Sequence, residues 1–351
     1  MIENKKENKK IDFISFSSLF AAICVVFLHV NGCFWNFDST QGYWFSANVI
    51  ECTAYFAVPV FFMISGSTLL DFFNRYGIRE YCRKRIVRVL IPFLIWSFFA
   101  MFYRIYYVKD IAWSNVNATF LIEKLMNGNM LQVYWFFVPL FCIYLSIPLF
   151  AAVREELRKS VFTFISIMGF VFNCLIPFII NFFQINVPMT ISVTVVYSYL
   201  FYIPIGYLLT HYELKKVWRG FIYIAGIVGF LMHCLGTYIL SMRDGAINST
   251  FKGYNNLPAV MYSVAVMVLL RCVGEKLMQK QAIAKIVNCL SKYTFGIYLI
   301  HMYILTVLLT EFHIDKTLLS VRLILPFVIV AISVFLIWLI RKLPFGKYIL
   351  P

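Results

Sequence analysis

Apolar runs long enough to cross a lipid bilayer recur through this chain, each separated from the next by a short polar or basic connection. About 20 apolar residues span the ~30 Å hydrocarbon layer as a helix. Inside that layer only helices and closed barrels satisfy every backbone N–H and C=O. Ten such runs are read here, at about 13–33, 46–70, 89–108, 131–153, 161–183, 191–212, 220–241, 257–275, 293–311 and 319–340. The expected fold is all-α: a polytopic membrane protein of about ten transmembrane helices. A soluble fold is excluded, because at 62% hydrophobic and 13% charged residues it would expose most of its apolar surface.

An even number of spans puts both termini on one side. With that side cytoplasmic, 24 of the 31 lysines and arginines fall in cytoplasmic segments, the direction the positive-inside rule requires. The expected organisation is a cytoplasmic N-terminal tail (1–12), a ten-span membrane domain (13–340) and a cytoplasmic C-terminal tail (341–351). The net charge of +15 then reflects topology and attraction to a bilayer surface, and no nucleic-acid partner is expected. The nine cysteines lie mostly within apolar runs and lack CxxC spacing, so neither disulfides nor a metal site is expected.

Four cationic residues, Arg83, Lys84, Arg85 and Arg88, crowd the entry to the third span. Arg85 and Arg88 are three apart, which on an α-helix places them on one face. One reading is topogenic, since positive residues flank spans on the cytoplasmic side. The other is an anion site, because guanidinium forks at a helix start suit phosphate in geometry and charge.

Within the spans, ionisable side chains are costly and mark functional candidates. His29 sits about 24 Å from the cytoplasmic edge of the first span at 1.5 Å per residue, either as a buried neutral histidine or as a proton acceptor. Glu51, roughly 7 Å below the outer edge of the second span, either pairs with His29 or is solvated at the surface. Tyr134 and Trp135 begin the fourth span, as interfacial anchors or as the lining of a sugar site. The polar stretch 109–130 is the longest outer connection and a candidate cover for an acceptor site. His301 lies in the ninth span. No Gly-rich phosphate loop, HExxH, GxSxG or fixed-period repeat occurs.

Several stretches together, in this order and spacing, resemble the acyltransferase type 3 family of ten-span O-acyltransferases over about residues 11–340. They are VVFLHV around His29, VPVFFMISGSTLL, Arg85-Ile-Val-Arg88 before a proline-led span, YWFFVPLFCIYLSIPLF and SKYTFGIYLIHMYIL. The resemblance implies an enzyme of the cell membrane that takes an acyl group, usually acetyl, from acyl-CoA and delivers it to a hydroxyl of an envelope glycan or lipid-linked sugar. It implies that His29 is catalytic and that Arg85 and Arg88 hold the coenzyme; Glu51 joins His29 as a catalytic candidate only through the depth the two share, not through the resemblance. Acetyl-CoA is the implied donor, with no metal, and Tyr134, Trp135 and His301 are the candidates for contact with the acceptor. Two positions depart from the family pattern: Ser18 stands where a basic residue is frequent, and Val133 where a histidine is. The alternative reading is a polytopic transporter or flippase for a polar envelope precursor, weakened by the absence of repeat symmetry.

Overall fold

A computed structural model describes residues 2–187 and 197–351, with side chains from Phe13 onward. Helix α1 (Ile2–Val30) turns through Gly32–Trp35 into α2 (Tyr43–Ala54) and α3 (Ala57–Leu69). The basic α4 (Ile78–Arg85) leads into α5 (Ile91–Tyr103), and the short α6 (Ala118–Met126) lies in the next connection. Then come α7 (Phe137–Ala151), α8 (Glu155–Gly169), α9 (Ile176–Phe182), α10 (Tyr202–His211), α11 (Lys216–Asp244) and α12 (Leu257–Leu277). The chain closes with α13 (Gln281–Leu290), α14 (Thr294–Glu311), α15 (Leu319–Ile340) and the single turn α16 (Gly346–Ile349).

Nine helical stretches among the described residues are long and apolar enough to cross a membrane. The protein is therefore an all-helical, multi-pass membrane protein. Of the expected sixth span, 191–212, residues 191–196 lie outside the described residues and α10 is its visible part. Large apolar side chains such as Leu145, Leu149, Phe221, Ile224 and Phe327 point outward, as a lipid-facing surface requires. Arg322, Glu51, His233 and His301 are buried.

Prolines reshape two expected spans. The second is not one helix, because Pro59 has no N–H to return to the carbonyl of Tyr55, and the chain turns at Tyr55 and Phe56 between α2 and α3. In the third, Pro92 follows a widened π turn, Ile86–Leu90, in which the N–H of Ile91 reaches back five residues to Ile86 O. Widening the turn relieves the clash of the proline ring with the preceding carbonyls. It also changes the direction of every side chain across the turn.

Helix α1 packs against α2, α3, α12, α14 and α15, contributing Val25 to one apolar cluster and Val26 and Val30 to another. Its far end is locked by Asn31 Nδ2 donating to Ala47 O at 2.8 Å and by the buried Arg322, which donates to Asn31 Oδ1, Ser46 Oγ and Thr317 O. At the opposite end Arg158 is buried. It donates to Asp71 Oδ1 at 2.7 Å, to Tyr207 OH at 3.1 Å and to the carbonyls of Ala151 and Val153.

Helices α3 and α10 cross with their backbones in contact. A Cβ on Gly66 would lie 2.1 Å from Ile203 O, and one on Gly206 would lie 2.0 Å from Met63 O. Ser67 Oγ donates across this crossing to Gly206 O at 3.0 Å, the small-residue packing expected where lipid supplies no hydrophobic drive. Gly206→Leu is expected to force the pair apart at a cost of about 3 kcal/mol, read as a lowered unfolding midpoint in detergent. An unchanged midpoint would contradict the crossing.

Candidate functional site

A cavity of about 820 Å³ runs through the bundle from Arg85 at the basic end to Trp35 and Lys316 at the far end. On α1 its lining includes Ser18, Val25, Leu28 and His29. Positions separated by three, four, seven and eleven residues share one helical face. Ser18 and His29 are three turns apart, about 16 Å of rise, so the cavity covers more than half of the apolar layer. On α14 the lining residues Thr294, Tyr298, Met302, Leu305 and Leu309 follow the same rule.

At the basic end the Arg85 guanidinium lies 5.3 Å from the ring centre of Tyr144 and 5.7 Å from that of Tyr81. Its Nε is buried without a hydrogen-bond partner. A buried donor left unpaired costs about 1–3 kcal/mol, so this end is prepared for an acceptor or an anion. Arg88 does not share it. The π turn between the two arginines rotates less per residue than an α turn, and Arg88 is exposed and absent from the lining while Arg85 faces the cavity. The expected common face is therefore corrected to two faces.

Ser18 Oγ donates to Thr294 Oγ1 at 3.5 Å in the inner half of the cavity. Ser65 also lines it, with its hydroxyl turned back to Phe61 O at 3.1 Å. His29 stands at the level where α1 ends, its ring centre 5.1 Å from that of His301. His301 does not line the cavity. It is fully buried, and its Nδ1 faces Ile297 O at 3.0 Å and Tyr298 O at 2.8 Å.

Tyr134 does not line the cavity either. Gln132–Phe136 is a 3-10 turn, in which adjacent side chains point about 120° apart. Tyr134 turns into the interior, donating to Leu299 O and meeting Tyr303 OH, both at 3.0 Å. Trp135 faces the cavity. None of residues 109–130 lines it.

Glu51 lines the far end, but the expected pair with His29 does not form. Its Oε1 accepts from Lys252 Nζ at 2.7 Å, both side chains are 4% exposed, and Oε2 has no partner. Lys252 arrives from the α11–α12 connection and is surrounded by the rings of Tyr55, Phe34 and Trp35, with centres at 4.1, 4.6 and 5.2 Å. A buried carboxylate needs a cation close by, and this lysine takes the place assigned to the imidazole. From the same connection Tyr254 stacks between Tyr55 and Trp135, at 4.2 and 5.6 Å.

Sequence reasoning missed Lys252, Tyr254, Trp35, Tyr144 and Arg322. Only Tyr298 and its α14 neighbours carried a signal, the spacing of one helical face. Among the described residues no three His, Cys, Asp or Glu side chains gather as metal ligands would.

Chemically, the cavity joins an arginine with a spare donor at one end to the His29 imidazole and an aromatic, carboxylate-bearing chamber at the other. In comparisons with known proteins, a family described as an acyltransferase domain matches the chain over residues 19–342. No curated protein and no solved structure matches it.

Proposed function

The chain belongs to the acyltransferase type 3 family and is a multi-pass membrane acyltransferase; from that premise we propose that it transfers an acetyl group from cytoplasmic acetyl-CoA to a hydroxyl of a cell-envelope glycan or lipid-linked sugar. The membrane is the cell membrane, with both termini and the basic end of the bundle on the cytoplasmic side. One observation carries this reading: Arg85 and His29 line a single cavity about as long as half the bilayer. A donor with phosphates at one end and a reactive thioester at the end of a long arm fits that arrangement.

In this reading Arg85 meets the coenzyme's phosphates from within the cavity, and Arg88 meets them from the membrane surface. His29 takes the proton of the acceptor hydroxyl as its oxygen attacks the thioester carbonyl, so that the C–O bond forms as the C–S bond breaks. The proton then passes to the departing thiolate. Imidazole suits this work at neutral pH. Glu51, fixed by Lys252, serves the acceptor chamber with Trp135 and Trp35 and does not serve the base.

The test is acetyl-CoA binding to detergent-purified protein. Acetyl-CoA at about 100 times its dissociation constant is expected to stabilise the fold by about 2.7 kcal/mol, seen as a raised unfolding midpoint, and thiol release should accompany it. Stabilisation should fall sharply in Arg85→Ala/Arg88→Ala. Failure of acetyl-CoA and of longer acyl-CoAs to stabilise a folded wild type would overturn the donor assignment.

A further inference from the structure

His301 occupies an unusual chemical position. Its Nδ1 faces two backbone carbonyl oxygens, Ile297 O and Tyr298 O, which can only accept. The proton of the neutral ring therefore resides on Nδ1, and Nε2 is left as a lone pair. That lone pair is buried and has no donor. Backbone geometry has fixed one tautomer and set aside one acceptor.

The adjacent imidazole is that of His29, with ring centres 5.1 Å apart and planes inclined by 39°. His29 lines the cavity, whereas His301 does not. Neutral imidazole carries one N–H, and its χ2 torsion is broad, so a turn of the His29 ring brings that N–H toward the waiting lone pair. The opposite nitrogen of His29 is then bare.

We propose that His301 is a positioning residue that accepts a hydrogen bond from His29, fixing its tautomer and turning its basic nitrogen toward the cavity. The role rests on the reading of His29 as the base. A carboxylate usually fills this place beside a catalytic histidine, but an unpaired carboxylate within the apolar layer is costly. The one beside this chamber, Glu51, is committed to Lys252. A neutral imidazole whose tautomer is set by its own helix orients His29 without adding a buried charge. When His29 takes the acceptor's proton, the same hydrogen bond, now charge-assisted, is stronger.

The experiment uses full-length protein in detergent with ¹⁵N-labelled histidine, assigned with His29→Ala and His301→Ala. Expected are an Nδ1-protonated His301 and a single His29 tautomer, hydrogen-bonded through its N–H. His301→Ala should convert His29 to a tautomer mixture. His301 protonated on Nε2, or a His29 spectrum unchanged by His301→Ala, would overturn the proposal.

Thiol release from acetyl-CoA gives the second readout. His301→Ala should lower kcat about 10²-fold with KM for acetyl-CoA unchanged, and His301→Gln, which restores an acceptor, should recover to within about tenfold of wild type. Equal losses in both variants would overturn the orienting role. If the spectra show the pair and His29→Ala retains full activity, the hydrogen bond stands and the general-base reading fails.

Discussion

His29→Ala is expected to lower turnover of acetyl-CoA by about 10²–10⁴-fold, the range lost when a positioned general base is removed. The other polar groups along the cavity do not replace it. Ser65 is bonded back to Phe61 O, the Ser18 and Thr294 hydroxyls meet each other, and Tyr298 OH donates to Val133 O. Hydroxyl groups of this kind are poor proton acceptors at neutral pH. Glu51 is held by Lys252.

The variant should also fold. The end of α1 is secured by Asn31, Arg322 and the Trp44 indole, which donates to Phe34 O at 2.9 Å, and His29 takes part in none of these bonds. His29→Gln keeps much of the side-chain volume and is expected to lose activity just as severely, which separates proton transfer from packing. Thermal unfolding of both variants near the wild-type midpoint, with acetyl-CoA still stabilising them, would locate the loss in the chemical step. A folded His29→Gln protein turning over at the wild-type rate would remove the imidazole from the mechanism.

Much of this arrangement was legible in the sequence because bilayer thickness and helical pitch are such strong constraints. Apolar run length located the nine membrane-long helical stretches among the described residues, and the intramembrane rarity of ionisable groups singled out His29 and Glu51. Both line the cavity, together with Arg85 and Trp135. What escaped was local rotation and distant pairing. A single 3-10 turn sends Tyr134 inward and Trp135 into the cavity. A π turn before Pro92 parts Arg85 from Arg88. Lys252 reaches Glu51 across about 200 residues of chain, and nothing in the spacing of either residue announces the partner. The sequence offers His301 as a candidate for acceptor contact, but its place behind His29 and outside the cavity depends on how α1 and α14 pack.

The parted arginines yield the second large effect. Arg85 faces the cavity with a buried, unpartnered Nε, whereas Arg88 is exposed. A charge-assisted hydrogen bond in a sheltered site is worth about 1.5–3 kcal/mol, so Arg85→Ala is expected to raise KM for acetyl-CoA by about 10- to 150-fold. Arg85→Lys should recover only part of this, because a lysine keeps the charge and loses the planar fork. An exposed cation is screened within about 10 Å at 0.1 M salt and contributes about 0–1 kcal/mol. Arg88→Ala should therefore raise KM only a few-fold, and the effect should fade as salt is added. Measuring KM for the three variants at low and high ionic strength separates the two roles. Equal, salt-sensitive losses at Arg85 and Arg88 would mean that both act from the membrane surface as a general positive patch, and the cavity would then have to receive its donor by a path that does not involve Arg85.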